Sequence, residues 1–168
     1  LVEARAELTM QLHLVFSKMA KPVVTAINGA AMGGGAGLAV AADLAVMGAG
    51  AKLGYPETRH GIVAAIVMAN LVRQVGRKAA FELVSLGEPV DGAKALALGL
   101  VNRVVPDGEV LAAALALAEA LAQAKPEAMA ATKQLFHEVA DLPLAEALER
   151  GRERSEEHTS QLQSPMYL

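Results

Sequence analysis

Three observations predict a mixed α/β fold. The composition is 54% apolar but only 3% aromatic, so the core must be built from Ala, Val, Leu and Met at helix and strand spacing, which favours an Ala-rich α/β scaffold over a β-sandwich. Short uncharged strand signals alternate closely with helical patterns in the first two thirds of the chain. Five of the fifteen glycines fall within "GAAMGGGAGL", residues 29–38, directly after the apolar stretch "KPVVTAIN". At 168 residues, a single domain burying roughly 70% of the unfolded chain's surface is the expected scale.

Taken in order, residues 1–19 read as an amphipathic helix. Leu1, Leu8, Leu12, Val15, Phe16 and Met19 share one face, and Glu3, Arg5, Glu7, Gln11 and Lys18 lie largely elsewhere. The pattern is complete from Leu1 with no capping residue before it, so the chain is expected to begin in mid-structure. Residues 22–27, "PVVTAI", form a short buried strand ending at Asn28-Gly29. "LAVAADLAVMG" supplies a short helix and then a strand from Leu44 to Met47, and "AKLGYPET" a further strand closed by Pro56. Helical patterns follow at 64–75, 78–86, 92–98, 110–124, 127–139 and 144 to about 152, interrupted by the strand "LVNRVV" at 100–105. The expected organisation is a core over residues 1–105, a helical region over 106–153, and a tail over 154–168. That tail, "RSEEHTSQLQSPMYL", is polar, poor in Ala and without apolar period, and is expected to be disordered. It also resembles a translated sequencing-library adaptor and is set aside from functional reasoning.

Several function classes are disfavoured at this level. A net charge of −3 without a long basic run lacks the footprint of a nucleic-acid binder. The absence of cysteine removes disulfide and thiolate-metal chemistry. No His/Asp/Glu set has metal-ligand spacing. Asp43, Lys52 and Arg73 interrupt every apolar run before the ~20 residues of a membrane span. No signal peptide is evident, and a cytoplasmic protein is expected.

The glycine cluster admits three readings. A dinucleotide fingerprint fails on spacing, because Gly35-Ala-Gly37 is followed by Val40, and Gly33-Gly-Gly35 by Leu38, where Gly or Ala is required. A phosphate-cradling P-loop fails because no Lys-Ser/Thr follows Gly34. An anion-binding helix start remains, with first-turn N–H groups facing outward to hold a developing oxyanion. Tight packing of a helix on a strand accounts for glycines equally well.

The stretch "KPVVTAINGAAMGGGAGLAVAADLAVMGAGAKLGYPETRHGI", with the later block "GEPVDGAKALALGLVNRVVP", closely resembles the second half of the enoyl-CoA hydratase/isomerase family, the crotonase superfamily. The resemblance runs roughly from Leu8 to Gly151. It implies a ββα spiral core, of which this chain carries the later half, followed by a C-terminal helical trimerisation region and assembly into a homotrimer or hexamer. It further implies an acyl-CoA thioester substrate, coenzyme A being part of that substrate with no separate cofactor, and a place in fatty-acid metabolism.

The resemblance also assigns roles. The N–H of Gly34 is the second oxyanion-hole donor; the first belongs to an A-D motif upstream of residue 1, which implies that the chain as given is inactive. Hydratases of the family carry two glutamates, and here Gly37 stands at the first position and Glu57 at the second. Glu57 is then the acid/base group, and Met32, Gly33, Tyr55, Pro56, Ile62 and Val63 line the substrate site. Hydration of a 2-enoyl-CoA is the leading expectation. A Δ3,Δ2-enoyl-CoA isomerase with one glutamate base, or a non-catalytic homologue, is the alternative. His13, His60 and His137 are expected to face water, Asp43 to end or cap a short helix, and the methionines to fill core gaps.

Overall fold

The computed structural model describes residues 2–162; Leu1 and residues 163–168 of the expected tail lie outside the described residues. Helix α1 (Val2–Lys18) leads into β1 (Val24–Ile27), β2 (Ala30–Met32), α2 (Gly34–Ala41), β3 (Leu44–Gly48) and β4 (Lys52–Gly54). A 3₁₀ turn at Pro56–His60 precedes α3 (Ala65–Leu86) and α4 (Gly92–Ala97), then β5 (Arg103–Val105), a second 3₁₀ turn at Asp107–Glu109, α5 (Val110–Leu121), α6 (Pro126–Val139) and α7 (Leu144–Leu162).

The strands form two parallel sheets, ordered β1-β3-β5 and β2-β4. One strand goes to each sheet, α2 crosses back, and the next pair lands beside the first. Val24 aligns with Leu44 and Ala30 with Lys52, so each β-β-α unit advances the chain by one strand spacing, about 4.8 Å. Parallel pairing demands such crossovers. In the third turn an isolated antiparallel bridge, Leu53 to Val90, takes the place of a full strand in the second sheet.

The core lies where α2, α3 and α4 close on the sheets. Val40, Met47, Leu53, Tyr55, Leu71 and Leu83 are buried there. On the far side of the first sheet, Val110 and Ala114 of α5 pack on Val46, with Val24 and Val105 at the margin. The expected core therefore does come from Ala, Val, Leu and Met, and the helical region lies directly on the sheet.

Three readings of the sequence are corrected. Strand β2 sits inside the glycine cluster, where Ala-Ala-Met carries little strand propensity; its pairing with β4 makes it a strand. The two helices expected at 64–75 and 78–86 are present as the two halves of α3, which meet at the non-helical Gly76, whose φ of 77° is accessible to glycine at little cost.

In α1 the buried face is not the leucine stripe. Leu8 is 70% exposed, whereas His13 is buried at 8% and Phe16 is partly covered. The helix seats on α2 at Gly37, where the missing side chain lets the imidazole approach; His13 therefore does not face water.

The expected disorder after Arg154 is absent through Leu162, because α7 continues to that residue. Arg152 pairs with Glu149 and Glu156, and Arg154 with Glu157 and with Glu138 of α6. Charge pairs at i,i+3 and i,i+4 support the helix, and Arg150 and Arg154 tie it to Glu138 of α6. Among the described residues, no helix is long and apolar enough to cross a membrane.

Candidate active site

The glycine cluster and Glu57 meet at the C-terminal ends of the paired strands β2 and β4. Parallel register puts Met32 beside Gly54, so the next residues on each strand, Gly33 and Tyr55, leave the sheet side by side. The N–H of Gly33 donates to the Gly54 carbonyl at 2.8 Å and closes that end. Ligand sites of parallel sheets form at such carboxyl ends, where adjacent chains diverge.

Gly33 caps α2 with φ 57° and ψ −124°, a region populated essentially by glycine. A Cβ there would also lie 3.1 Å from Oε1 of Glu57. Gly34 is the first residue of α2, so its N–H is among the first-turn donors that the helix itself leaves unused. A Cβ at Gly34 would meet no protein atom within 4 Å.

Glu57 is carried by the 3₁₀ turn that Pro56 opens. Its neighbours pin the turn to the end of α3. The Thr58 hydroxyl donates to the Val84 carbonyl at 2.9 Å, and Arg59 Nε to the Leu86 carbonyl at 2.7 Å, with its guanidinium also 3.2 Å from Glu88. A cation at a helix C-terminus satisfies the last carbonyls and complements the dipole. Sequence reasoning passed over Thr58 and gave Arg59 no role. The signal was Gly87, which ends α3 in the left-handed conformation and marks where the free carbonyls would be.

The carboxylate itself is unusual. Oε2 of Glu57 is buried and has no hydrogen-bond partner. A buried unsatisfied polar atom costs on the order of 1–3 kcal/mol, more for a charged group, and native structures keep few. The Tyr55 hydroxyl and His13 Nε2 are likewise buried without partners; His13 Nδ1 lies 2.8 Å from the Thr9 carbonyl oxygen. Desolvation, with the nearby Glu57 charge as second cause, pushes the Tyr55 phenol well above its ordinary pKa.

Gly37, on the next turn of α2, faces the interior. A Cβ there would fall 2.4 Å from Val67 Cγ1 and 2.9 Å from His13 Nε2. A carboxylate at position 37 would therefore require α3 or α1 to move.

The remaining expected site residues separate. Met32 is 36% exposed beside the cluster, and its sulfur lies 3.2 Å from where a Gly54 Cβ would stand. Pro56 holds the turn. Tyr55, expected on the apolar wall, is instead fully buried in the core. Ile62 and Val63 are 60% and 72% exposed, so they stand near the turn without enclosing it. An open groove of about 360 Å³ runs along β1 and β2, lined by residues including Phe16, Ile27, Asn28, Ala31 and Leu38. It touches Gly35 but not Glu57. Among the described residues no acid or histidine cluster could hold a metal ion.

Asp43 does not cap α2; it follows the C-cap residue Ala42 and ties three segments together. Its carboxylate accepts from the Val23 N–H and from Lys133 Nζ, each at 2.7 Å, and lies 3.1 Å from His137 Nε2. The Lys133 ammonium also donates to the Lys21 carbonyl at 2.9 Å.

Known proteins share the sequence pattern and the fold. The family described as "Enoyl-CoA hydratase/isomerase" matches residues 4–166. A Thermus thermophilus protein provisionally named an enoyl-CoA hydratase is 52% identical over 116 residues, covering 69% of this chain and 46% of the relative. The 2,3-dehydroadipyl-CoA hydratase of Escherichia coli K12 is 36% identical over 134 residues, covering 79% and 52%. The chain thus spans about half the length of the curated relatives it matches. The crystal structure of enoyl-CoA hydratase from Bacillus anthracis superposes with a TM-score of 0.88 at 28% identity, over 92% of this chain and 60% of that one. On a family match across nearly the whole sequence and a shared fold, this chain belongs to the enoyl-CoA hydratase/isomerase family.

Proposed function

We propose that the protein to which this chain belongs acts on acyl-CoA thioesters through an enolate held by an oxyanion hole, and that its reaction is hydration of a 2-enoyl-CoA. The observation that carries this reading is the buried, unpartnered Oε2 of Glu57, in a carboxylate packed on Gly33 immediately before the free first-turn N–H of Gly34. In the step proposed, Glu57 takes a proton from water as the water oxygen bonds to C3. Electron density moves to the thioester oxygen, where the Gly34 N–H and the helix dipole meet it. The proton is then delivered to C2.

One feature of the chain supports the assignment of Gly34. The fold's own packing calls for glycine at 33 and 37 but not at 34, where a side chain would enter open space; a bound thioester would supply the missing reason. Placing a strongly polar donor where charge develops is worth ~10²–10³ in rate.

A second reading, Δ3,Δ2-enoyl-CoA isomerisation, is favoured by the crowding at Gly37. Val67 and His13 leave no space for a second carboxylate there, and one base suffices to carry a proton from C2 to C4. The deciding experiment offers crotonyl-CoA and a 3-enoyl-CoA separately to the whole protein. Loss of crotonyl-CoA absorbance supports hydration, conversion of the 3-enoyl substrate alone supports isomerisation, and silence on both favours a binding role.

Assembly into a homotrimer or hexamer and a cytoplasmic location go with this proposal. Leu111, Leu115, Phe136, Leu144 and Leu148 of the C-terminal helices are all more than half exposed, an apolar surplus suited to subunit contacts. Sedimentation of the whole protein at micromolar concentration is expected to give three or six subunits, and a clean monomer would count against this.

A further inference from the structure

We propose that His13 is a second catalytic group of this site, its Nε2 accepting one O–H of the attacking water while Glu57 takes the proton from the other. The inference rests on the reading of Glu57 as the acid/base group and of the reaction as hydration. It adds a residue of α1 that the sequence placed facing water.

The imidazole is held in the form this role needs. Nδ1 lies 2.8 Å from the Thr9 carbonyl oxygen, an atom that can only accept, so Nδ1 carries a hydrogen and Nε2 of the neutral ring keeps its lone pair. His13 is buried, and Nε2 has no hydrogen-bond partner in the protein. An unsatisfied buried acceptor costs on the order of 1–3 kcal/mol, and a bound water is the usual remedy at a buried polar group.

The position of the ring relates it to Glu57. A Cβ on Gly37 would lie 2.9 Å from His13 Nε2, as one on Gly33 would lie 3.1 Å from Glu57 Oε1. The Gly37 N–H donates to the Gly33 carbonyl at 2.9 Å, so the two glycines stand one turn apart at the start of α2. The imidazole from α1 and the carboxylate from the 3₁₀ turn thus reach the same short helix on successive turns, each with one buried atom unpartnered. One turn advances ~5.4 Å, about the span of two hydrogen bonds through a single water. Val67 and His13 keep a carboxylate off position 37, and the same imidazole puts an acceptor there instead.

In the step, the water oxygen bonds to C3 as one of its protons passes to the Glu57 carboxylate. The other O–H stays whole and becomes the product hydroxyl; its hydrogen bond to Nε2 aims the oxygen lone pair at C3. His13 neither gains nor loses a proton. Isomerisation has no use for this acceptor, since no water adds.

The test compares hydration of crotonyl-CoA by the whole protein in the parent, His13→Leu and His13→Gln, with circular dichroism confirming that each variant is folded. A group that touches only the attacking water acts on kcat. His13→Leu is expected to lower kcat about 10²-fold with KM unchanged, and His13→Gln, whose side-chain carbonyl can offer an acceptor near the place of Nε2, to recover at least a tenth of the parent rate. Two measurements on the parent need no variant to fold. A crystal structure is expected to show a water about 2.8 Å from Nε2, and ¹⁵N NMR at neutral pH to show Nδ1 protonated and Nε2 bare. Unchanged kcat in folded His13→Leu, equal losses in the Leu and Gln variants, a dry Nε2 or a protonated Nε2 each overturns the proposal. Glu57→Gln retaining hydration would instead sink the reading of Glu57, because the His13 variants are measured with Glu57 in place.

Discussion

Glu57→Gln is expected to lower turnover of the whole protein on its enoyl-CoA substrate by about 10²–10⁴-fold, the usual worth of a positioned acid/base group, with little change in KM. Gln keeps the size of the side chain and removes only the ability to accept and return a proton. The turn that carries residue 57 is anchored by Thr58 and Arg59 on the end of α3, and neither anchor involves the Glu57 carboxylate. A loss of kcat with the fold intact therefore reads chemistry rather than collapse. Initial rates and KM, followed by thioester absorbance, check it; retention of most of the rate would reduce Glu57 to a turn residue.

The second large effect concerns stability. Asp43→Ala is expected to destabilise the chain by about 3–5 kcal/mol, the range for removing one member of a buried ion pair. The Lys133 side chain is 4% exposed and that of Asp43 17%. Without the carboxylate, the ammonium keeps only the Lys21 carbonyl, and the Val23 N–H loses its acceptor. Denaturant unfolding monitored by circular dichroism measures the change. Asp43→Ala combined with Lys133→Met should recover part of the loss, since the unpaired buried charge is then gone. A single-variant cost near zero would mean that water reaches the pair.

The same pair shows where local reading stops. Asp43 looks like a helix-end residue because it follows "LAVAA", but its partners are 20 residues upstream and 90 downstream. Lys133 sits among polar neighbours on α6, so nothing local distinguishes it from a solvated lysine. His13 is the converse case. Its neighbours in sequence suggest a wet helix face, yet a glycine 24 positions later opens the space it fills. Helix α7 outruns its expected end for a related reason: the stretch after Arg154 loses its apolar period, yet arginine and glutamate at helical spacing still pair as far as Glu157.

The sequence by itself determined the α/β class, the order of most elements, the glycine-rich turn at the start of α2 and the family. These depend on hydrophobic period, turn chemistry and motif spacing, all written within a few tens of residues. Tertiary structure alone decided that Ala30–Met32 pairs as a strand, that Tyr55 turns into the core, that Gly37 is filled from α1 and α3, and that Glu57 Oε2 is buried without a partner. Burial and hydrogen-bond satisfaction belong to segments far apart in the chain, and only the packed fold brings them to the same place.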